Sequence, residues 1–315
     1  MDRRDFLKKS AVVSAGAASA LSIEEQILAA RADQPEKKPA APASAPKPFP
    51  KGKIGEVEIS RVICGGNLVS GFAHSRDLIY MSSFLKHYFT DEKILETLRL
   101  CEANGINTAM LKLDDDTLRL LKAYWHEQGG NIQWIAQIVS PDNLVADVGK
   151  ALDNGAVGVF TTGQMGDELV RKGRVDLLAK TVEAIKAQGA IAGVSCHQLQ
   201  VILECEKAGI NPDFYMKTFH HLDYWSAGPK ERLDSVFEET PDKTIETMKT
   251  LVKPWVAFKV LAAGAIPPRA GFDFAVKNGA DFMCVGMFDF QIEEDAQIAK
   301  DIIDKHKDRA RPWRA

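Results

Sequence analysis

The sequence predicts an α/β chain folded as a single (β/α)8 TIM barrel. Three observations carry that prediction. Eight short apolar runs alternate with helical patterns. Several helical patterns end in a glycine that leads at once into the next apolar run. Polar and charged residues gather where the apolar runs stop. Alternation of this kind builds a parallel sheet covered by helices, and eight units suffice to close it. A doubly wound open sheet is the alternative, because spacing alone does not show closure. No GxGxxG follows the first strand, which argues against a dinucleotide-binding Rossmann domain.

The N-terminal segment precedes the fold. Residues 1–32 open with Arg3-Arg4 followed by Asp5-Phe6-Leu7-Lys8 and a weakly apolar run from Ala11 to Leu21. This resembles a twin-arginine export signal. The run is too short for a stable membrane span in the mature protein, and Ala18-Ser19-Ala20 and Ala30-Arg31-Ala32 are candidate cleavage sites. The expectation is a protein exported by the twin-arginine machinery to the periplasm or another extracytoplasmic space. Residues 33–50 hold prolines 35, 39, 42, 46, 48 and 50 and no apolar period. They are expected to be an extended linker. The barrel is then residues 51–315.

Strands are expected at Val57–Gly65, Ile106–Lys112, Ile132–Val139, Ala156–Thr162, Ala190–His197, Asp213–Phe219, Trp255–Leu261 and Asp281–Met287. Most are continuous apolar runs, as expected for strands buried on both faces. Helical patterns fill the intervals, among them Asp91–Ala103 and Asp242–Leu251, each with a Thr or Pro and early acids at its start. The junctions Asn104-Gly105-Ile106, Asn154-Gly155-Ala156, Gln188-Gly189-Ala190, Ala208-Gly209-Ile210 and Asn278-Gly279-Ala280 read as helix ends in which Gly takes the left-handed conformation. Two βα connections are long. Asn67 to Thr90 carries His74, Arg76, Asp77, Tyr80, Lys86, His87 and Tyr88, and His220 to Thr240 carries Asp223, Tyr224, Trp225, Lys230 and Arg232. Both leave strand C-termini, where barrels build their sites, and are expected to act as lids.

Composition narrows the function. The 315 residues are 45% hydrophobic, which allows a large core. Lys plus Arg number 40 against 43 Asp plus Glu, a net charge of −3, which gives no footprint for nucleic acid. The five cysteines, at 64, 101, 196, 205 and 284, form no CxxC and suggest neither a disulfide framework nor a zinc module.

Burying a charged or polar side chain among apolar neighbours is costly, so its presence near a strand end calls for a reason. Asn67, Lys112, Gln137, Thr161, Thr162, His197, Lys217, His220 and Lys259 occupy such positions. Grouped, buried lysines depress one another's pKa, and a neutral amine attacks a carbonyl to form a Schiff base. Lys112, Lys217 and Lys259 are candidates for that role. They could instead hold an anionic substrate or pair with Asp114, Asp115, Asp116 or Asp223. His197 and His220 are candidate proton carriers, and with His221 a weak metal set, without HExxH or an obvious carboxylate at a strand end. Small residues around Gly264 and Gly286 are expected to leave backbone N–H groups open to a phosphate or similar group. Asn67, Lys112, Gln137, Thr162, Gly264 and Gly286 form the expected substrate-binding set.

Two resemblances follow. Ile59-Ser60-Arg61-Val62-Ile63-Cys64-Gly65-Gly66-Asn67, then Ile94–Gly105 with Ile106-Asn107-Thr108, and Gly193-Val194-Ser195 look like the corresponding regions of aldo-keto reductase barrels. That resemblance implies the barrel fold and, for the family, NADP-type hydride chemistry run by an Asp and a Tyr after the second strand and a Lys and a His on the next two. Here the second strand ends Ala109-Met110-Leu111-Lys112, and the third and fourth end in Gln137 and Thr162. The last three strands resemble deoxyribose-phosphate-type class I aldolases, through Asp213-Phe214-Tyr215-Met216-Lys217-Thr218 and Phe258-Lys259-Val260-Leu261-Ala262-Ala263-Gly264-Ala265-Ile266. On that resemblance Lys217 is the Schiff-base lysine and Lys259 its pKa-lowering neighbour.

The expectation is an exported barrel enzyme of lyase or isomerase type. It would act on a small carbonyl compound, a sugar or sugar acid, with Lys217, Lys259, His197 and His220 as catalytic residues and no required cofactor. An aldo-keto-reductase-type oxidoreductase, a metal-dependent hydrolase or isomerase, and a non-catalytic sugar- or anion-binding barrel are the alternatives.

Overall fold

A closed barrel of eight parallel strands forms the centre of the molecule in the computed structural model. The structure describes residues 48–72, 78, 80–139, 142–224, 226–227 and 236–315. The twin-arginine motif and nearly all of the linker lie outside them, as do His74, Arg76, Asp77, Trp225, Lys230 and Arg232.

The barrel opens with a hairpin, and the expected strand Val57–Gly65 is divided between its second arm and the first barrel strand. β1 (Lys51–Ile54) pairs antiparallel with β2 (Val57–Ser60), and the chain then turns at Arg61 into β3 (Val62–Gly65), the first barrel strand. Ile54 and Ile59 of the hairpin are fully buried and plug the N-terminal end of the barrel lumen. Phe49, within the expected linker, is buried in the outer core, so the compact unit begins at Pro48.

The next pieces are α1 (Met81–Tyr88), α2 (Asp91–Ala103), β4 (Thr108–Lys112), α3 (Asp115–His126), β5 (Gln133–Ile138), α4 (Leu144–Asp153) and β6 (Ala156–Thr161). Two helices follow β6, α5 (Gly163–Arg171) and α6 (Val175–Ala187). The chain then runs through β7 (Ile191–Cys196), α7 (Leu199–Lys207), β8 (Phe214–Thr218), α8 (Pro241–Thr250), β9 (Trp255–Phe258), α9 (Pro268–Lys277), β10 (Phe282–Val285) and α10 (Ile292–Lys305). Barrel order is β3 to β10 in sequence, with β10 pairing back to β3 through Met283–Val62, Cys284–Ile63 and Val285–Cys64. Each connection covers the sheet with at least one helix, as right-handed parallel crossovers require. The junction glycines adopt positive φ, 85° at Gly105 and 111° at Gly279. At Gly105 a Cβ would also lie 2.5 Å from Phe49.

Two apolar layers result from the two-residue period of each strand. Ile63, Met110, Ile135, Phe160, Met216 and Val256 point into the lumen. Cys64, Leu111, Ala136, Tyr215, Trp255 and Met283 point outward against the helices. All five cysteines are buried free thiols. The lower end is fastened by Asp281, whose carboxylate meets Arg309 at 2.8 Å and Arg311 at 2.7 Å with all three side chains buried. Among the described residues no helix is long and apolar enough to cross a membrane.

Candidate active site

The lumen parity sets what the barrel mouth contains. Continuing the inward series by two residues beyond Met110, Ile135 and Phe160 places Lys112, Gln137 and Thr162 at the mouth, and the same phase along β7 from Ile191 brings in His197. These four, with Asn67 after β3 and Lys259 after β9, line one open cavity of about 880 Å³. Six of the residues singled out from the sequence therefore meet in one place.

His197 is held by Asp167, a residue with no distinguishing signal in the sequence. Asp167, on α5, accepts the backbone N–H groups of His197 and Gln198 on Oδ1, at 3.0 and 2.9 Å. Its Oδ2 lies 2.8 Å from His197 Nδ1. A carboxylate oxygen can only accept, so Nδ1 carries the hydrogen and Nε2 is the ring nitrogen left for proton exchange. Thr162 caps α5 by accepting the Met165 N–H at 3.1 Å, which fixes where Asp167 falls one turn later. Gly163 makes room for the ring, since a Cβ there would lie 2.8 Å from His197 Cε1. Burial pushes the imidazole pKa below its ordinary 6.5; Asp167 opposes that shift and the positive charge of Lys259 adds to it. At neutral pH the ring is an unprotonated base.

Lys259 follows β9 in a left-handed conformation, φ 58°, and its side chain lines the mouth. Its Nζ donates to the Val236 carbonyl at 2.9 Å and sits 5.8 Å from the Phe258 ring centre. The His197 ring lies 5.6 Å from the same ring. On the opposite side Lys112 pairs with Asp114 at 3.3 Å and lies 5.5 Å from the Phe72 ring centre. Asp114 is also the N-cap of α3.

Lys217 and His220 are placed differently from their expected roles. Phe214 and Met216 face the lumen, so Lys217 faces outward with Tyr215. Its side chain is 1% exposed and donates to Glu238 Oε2 at 2.8 Å and to the Thr218 carbonyl at 2.7 Å. Glu238 also accepts the Thr240 N–H and the Thr244 hydroxyl. The Schiff-base role implied for Lys217 therefore has no access to the mouth; one residue of strand register separates the two faces. In His220, Nε2 accepts the Glu238 N–H at 2.9 Å and Nδ1 faces the His221 carbonyl at 2.9 Å. Both ring nitrogens are engaged with backbone, and the proton-carrying role expected of His220 is not what these contacts serve. Together the two residues latch Val236–Glu238 to the barrel, which delivers the Val236 carbonyl to Lys259.

The turn around Gly264 also departs from expectation. Ala262, Gly264, Ala265 and Ile266 donate their N–H groups to carbonyls of the same turn. Those groups are consumed locally and do not form the open cradle for a phosphate or similar group expected there. Gly264 and Gly286 instead line a second, smaller chamber. Among the described residues no group of three or more His, Cys, Asp or Glu is arranged to hold a metal ion. Of the three histidines weighed as ligands, His220 has both ring nitrogens engaged with backbone, and His197 has Nδ1 engaged with Asp167.

No family model matches the chain, and no curated protein matches it. Solved structures do. One, described as a "putative aldo-keto reductase" from Pseudomonas aeruginosa, superposes with a TM-score of 0.57 at 17% identity, over 81% of this chain and 94% of that one. A second structure described in the same words, from the same organism, gives 0.56 at 17%, over 81% and 95%. At that identity the likeness establishes the fold: the chain is an α/β barrel of the (β/α)8 class, built like those of proteins described as aldo-keto reductases.

Proposed function

We propose that the barrel mouth is the active site of an enzyme that acts on a small carbonyl compound by lysine-assisted proton transfer, a lyase or isomerase chemistry. The observation that carries this reading is the placement of the Asp167-oriented His197 and of Lys259 at 5.6 and 5.8 Å from the centre of the same Phe258 ring, lining one cavity. Lys259 is the amine partner of the carbonyl. The Lys259 ammonium must first give up its proton; the free amine then condenses with the carbonyl carbon, the oxygen leaves as water with a proton supplied in return, and the iminium that remains draws electrons from the adjacent C–H or C–C bond. His197 Nε2 takes the proton released at the neighbouring position and returns it, and Asp167 steadies the imidazolium formed in between. Lys112 supplies positive charge for a carboxylate or other anionic group on the substrate. This reading moves the carbonyl chemistry from Lys217 to Lys259 and uses His197 as the proton carrier.

The test is borohydride reduction of the full chain in the presence of keto-sugars, aldehydes and keto-acids, followed by intact-mass measurement and peptide mapping. A reduced adduct on Lys259 that disappears in Lys259→Ala is the expected result. Absence of any adduct, with turnover that depends on added NADPH, would replace the reading with an aldo-keto-reductase-type oxidoreductase. Saturable binding without turnover would make the chain a binding barrel. Export by the twin-arginine route belongs to the same proposal, supported by Arg3-Arg4 and the apolar run behind them.

A further inference from the structure

The mouth has two chambers, and the second is lined mostly by apolar side chains. It measures about 300 Å³ and shares Gly66, Asn67, Gln137, Phe258 and Lys259 with the larger cavity. Below that shared rim it runs down to the upper lumen layer, where Met110, Phe160, Met216 and Cys284 form its floor. Its sides are Phe237, Leu261 and Phe288, with Met81 of α1 also lining it. The apolar side is built deliberately at a cost in backbone conformation. Lys259, Ala262 and Ala263 all have positive φ, 58°, 44° and 59°, a backbone region that non-glycine residues rarely adopt. That turn places Val260, Leu261 and Ala263 along the chamber.

We infer that the substrate is amphipathic: a carbonyl or carboxylate head at Lys259, Lys112 and His197, and an unbranched aliphatic or aromatic tail in the apolar chamber. The inference rests on the proposed reading for the head and adds the tail. The chamber is about twice the roughly 150 Å³ that holds one benzene ring, so a six-carbon chain or a phenyl group with its linker fits. A sugar hydroxyl placed there would lose its water partners with few polar atoms to replace them. This narrows the sugar or sugar-acid expectation toward 2-oxo acids and aldehydes with apolar substituents.

The test is calorimetric titration of the full chain with straight-chain 2-oxo acids from pyruvate to 2-oxooctanoate, and with phenylpyruvate. Expected is a gain of about fourfold in affinity for each added methylene until the chamber is full, and phenylpyruvate at least 30-fold tighter than pyruvate. Met81→Trp, which fills the chamber from its rim, is expected to flatten the series. Equal affinities along the wild-type series, or no binding by any member, would overturn the inference. Lys259→Ala separates the two claims. Loss of head binding in that variant, with a flat wild-type series, sinks the tail and leaves the head reading standing. A steep series unaffected by Lys259→Ala sinks the head reading and leaves the apolar chamber as a binding site.

Discussion

Asp167 grips His197 twice, by its ring through Nδ1 and by its backbone N–H, while also accepting the N–H of Gln198. One carboxylate thus sets both the tautomer of the imidazole and the course of the chain that carries it, from a helix that begins two residues after the neighbouring strand. Asp167→Asn keeps the size but can present an N–H where an acceptor is needed. It is expected to lower kcat on the carbonyl substrate by about 10²-fold or more, with KM changed little. Steady-state kinetics alongside a thermal melt checks this; the melt should move far less than the rate.

His197 also predicts the acid side of the pH profile. Its folded pKa lies below 6.5 because the ring is buried, so activity should persist through pH 6.5 and fall only at lower pH. The sign for stability follows from the same displacement. The unfolded chain binds the extra proton first, so this histidine's contribution is complete above about pH 6.5 and is withdrawn as pH falls toward the folded value. Proton NMR titration of the imidazole, compared with His197→Gln, reads the displacement directly.

Gly163→Ala places a methyl group against the His197 ring, 2.8 Å from Cε1 and 3.0 Å from Nδ1. The ring is tied to Asp167 and has little room to yield. A loss of at least about tenfold in kcat is expected from a misplaced base, with the helix still formed because alanine favours it. Circular dichroism and kinetics on the one variant decide between displacement and unfolding.

Lys217 and Glu238 form an ion pair whose side chains are 1% and 3% exposed. Lys217→Met leaves the carboxylate buried without its cation and should destabilise the chain by about 3–5 kcal/mol. Lys217→Met combined with Glu238→Gln should recover part of that loss. Where Lys217→Met remains folded, the adduct on Lys259 should still form; its loss from a folded protein would restore Lys217 to the chemistry. Denaturant unfolding and borohydride trapping provide the two readouts.

Asp295, in the first turn of α10, is 3% exposed, and its Oδ2 has no hydrogen-bond partner among the described residues. Burial, with Glu294 beside it, raises its pKa from 3.8 to about 6. The folded state therefore keeps a proton that the unfolded state has lost, and this group's contribution fades as pH rises through about 6. Asp295→Asn is expected to stabilise the protein at pH 7 by about 1–3 kcal/mol, with the gain vanishing near pH 4. Denaturant midpoints at the two pH values test it.

By itself the sequence determined the order of strands and helices and the residues at most strand ends. Apolar runs, helix-ending glycines and isolated polar residues are local signals, and Lys112, Gln137, Thr162, His197 and Lys259 stand out among their neighbours. The strand faces were not legible. A parallel strand buried on both sides shows no alternation, so Phe214-Tyr215-Met216-Lys217 reads the same whether Lys217 points into the lumen or away from it. Only barrel closure decided that Lys217 lies under α8 with Glu238 and that Lys259 faces the mouth. Asp167 was hidden for a related reason: it sits inside a helix, 30 residues from His197, and its distance from the strand end is set by the Thr162 cap rather than by any pattern of its own. The apolar chamber was likewise beyond the sequence, since its lining is drawn from strands and turns far apart in the chain, and their side chains face a common space only after the sheet has closed.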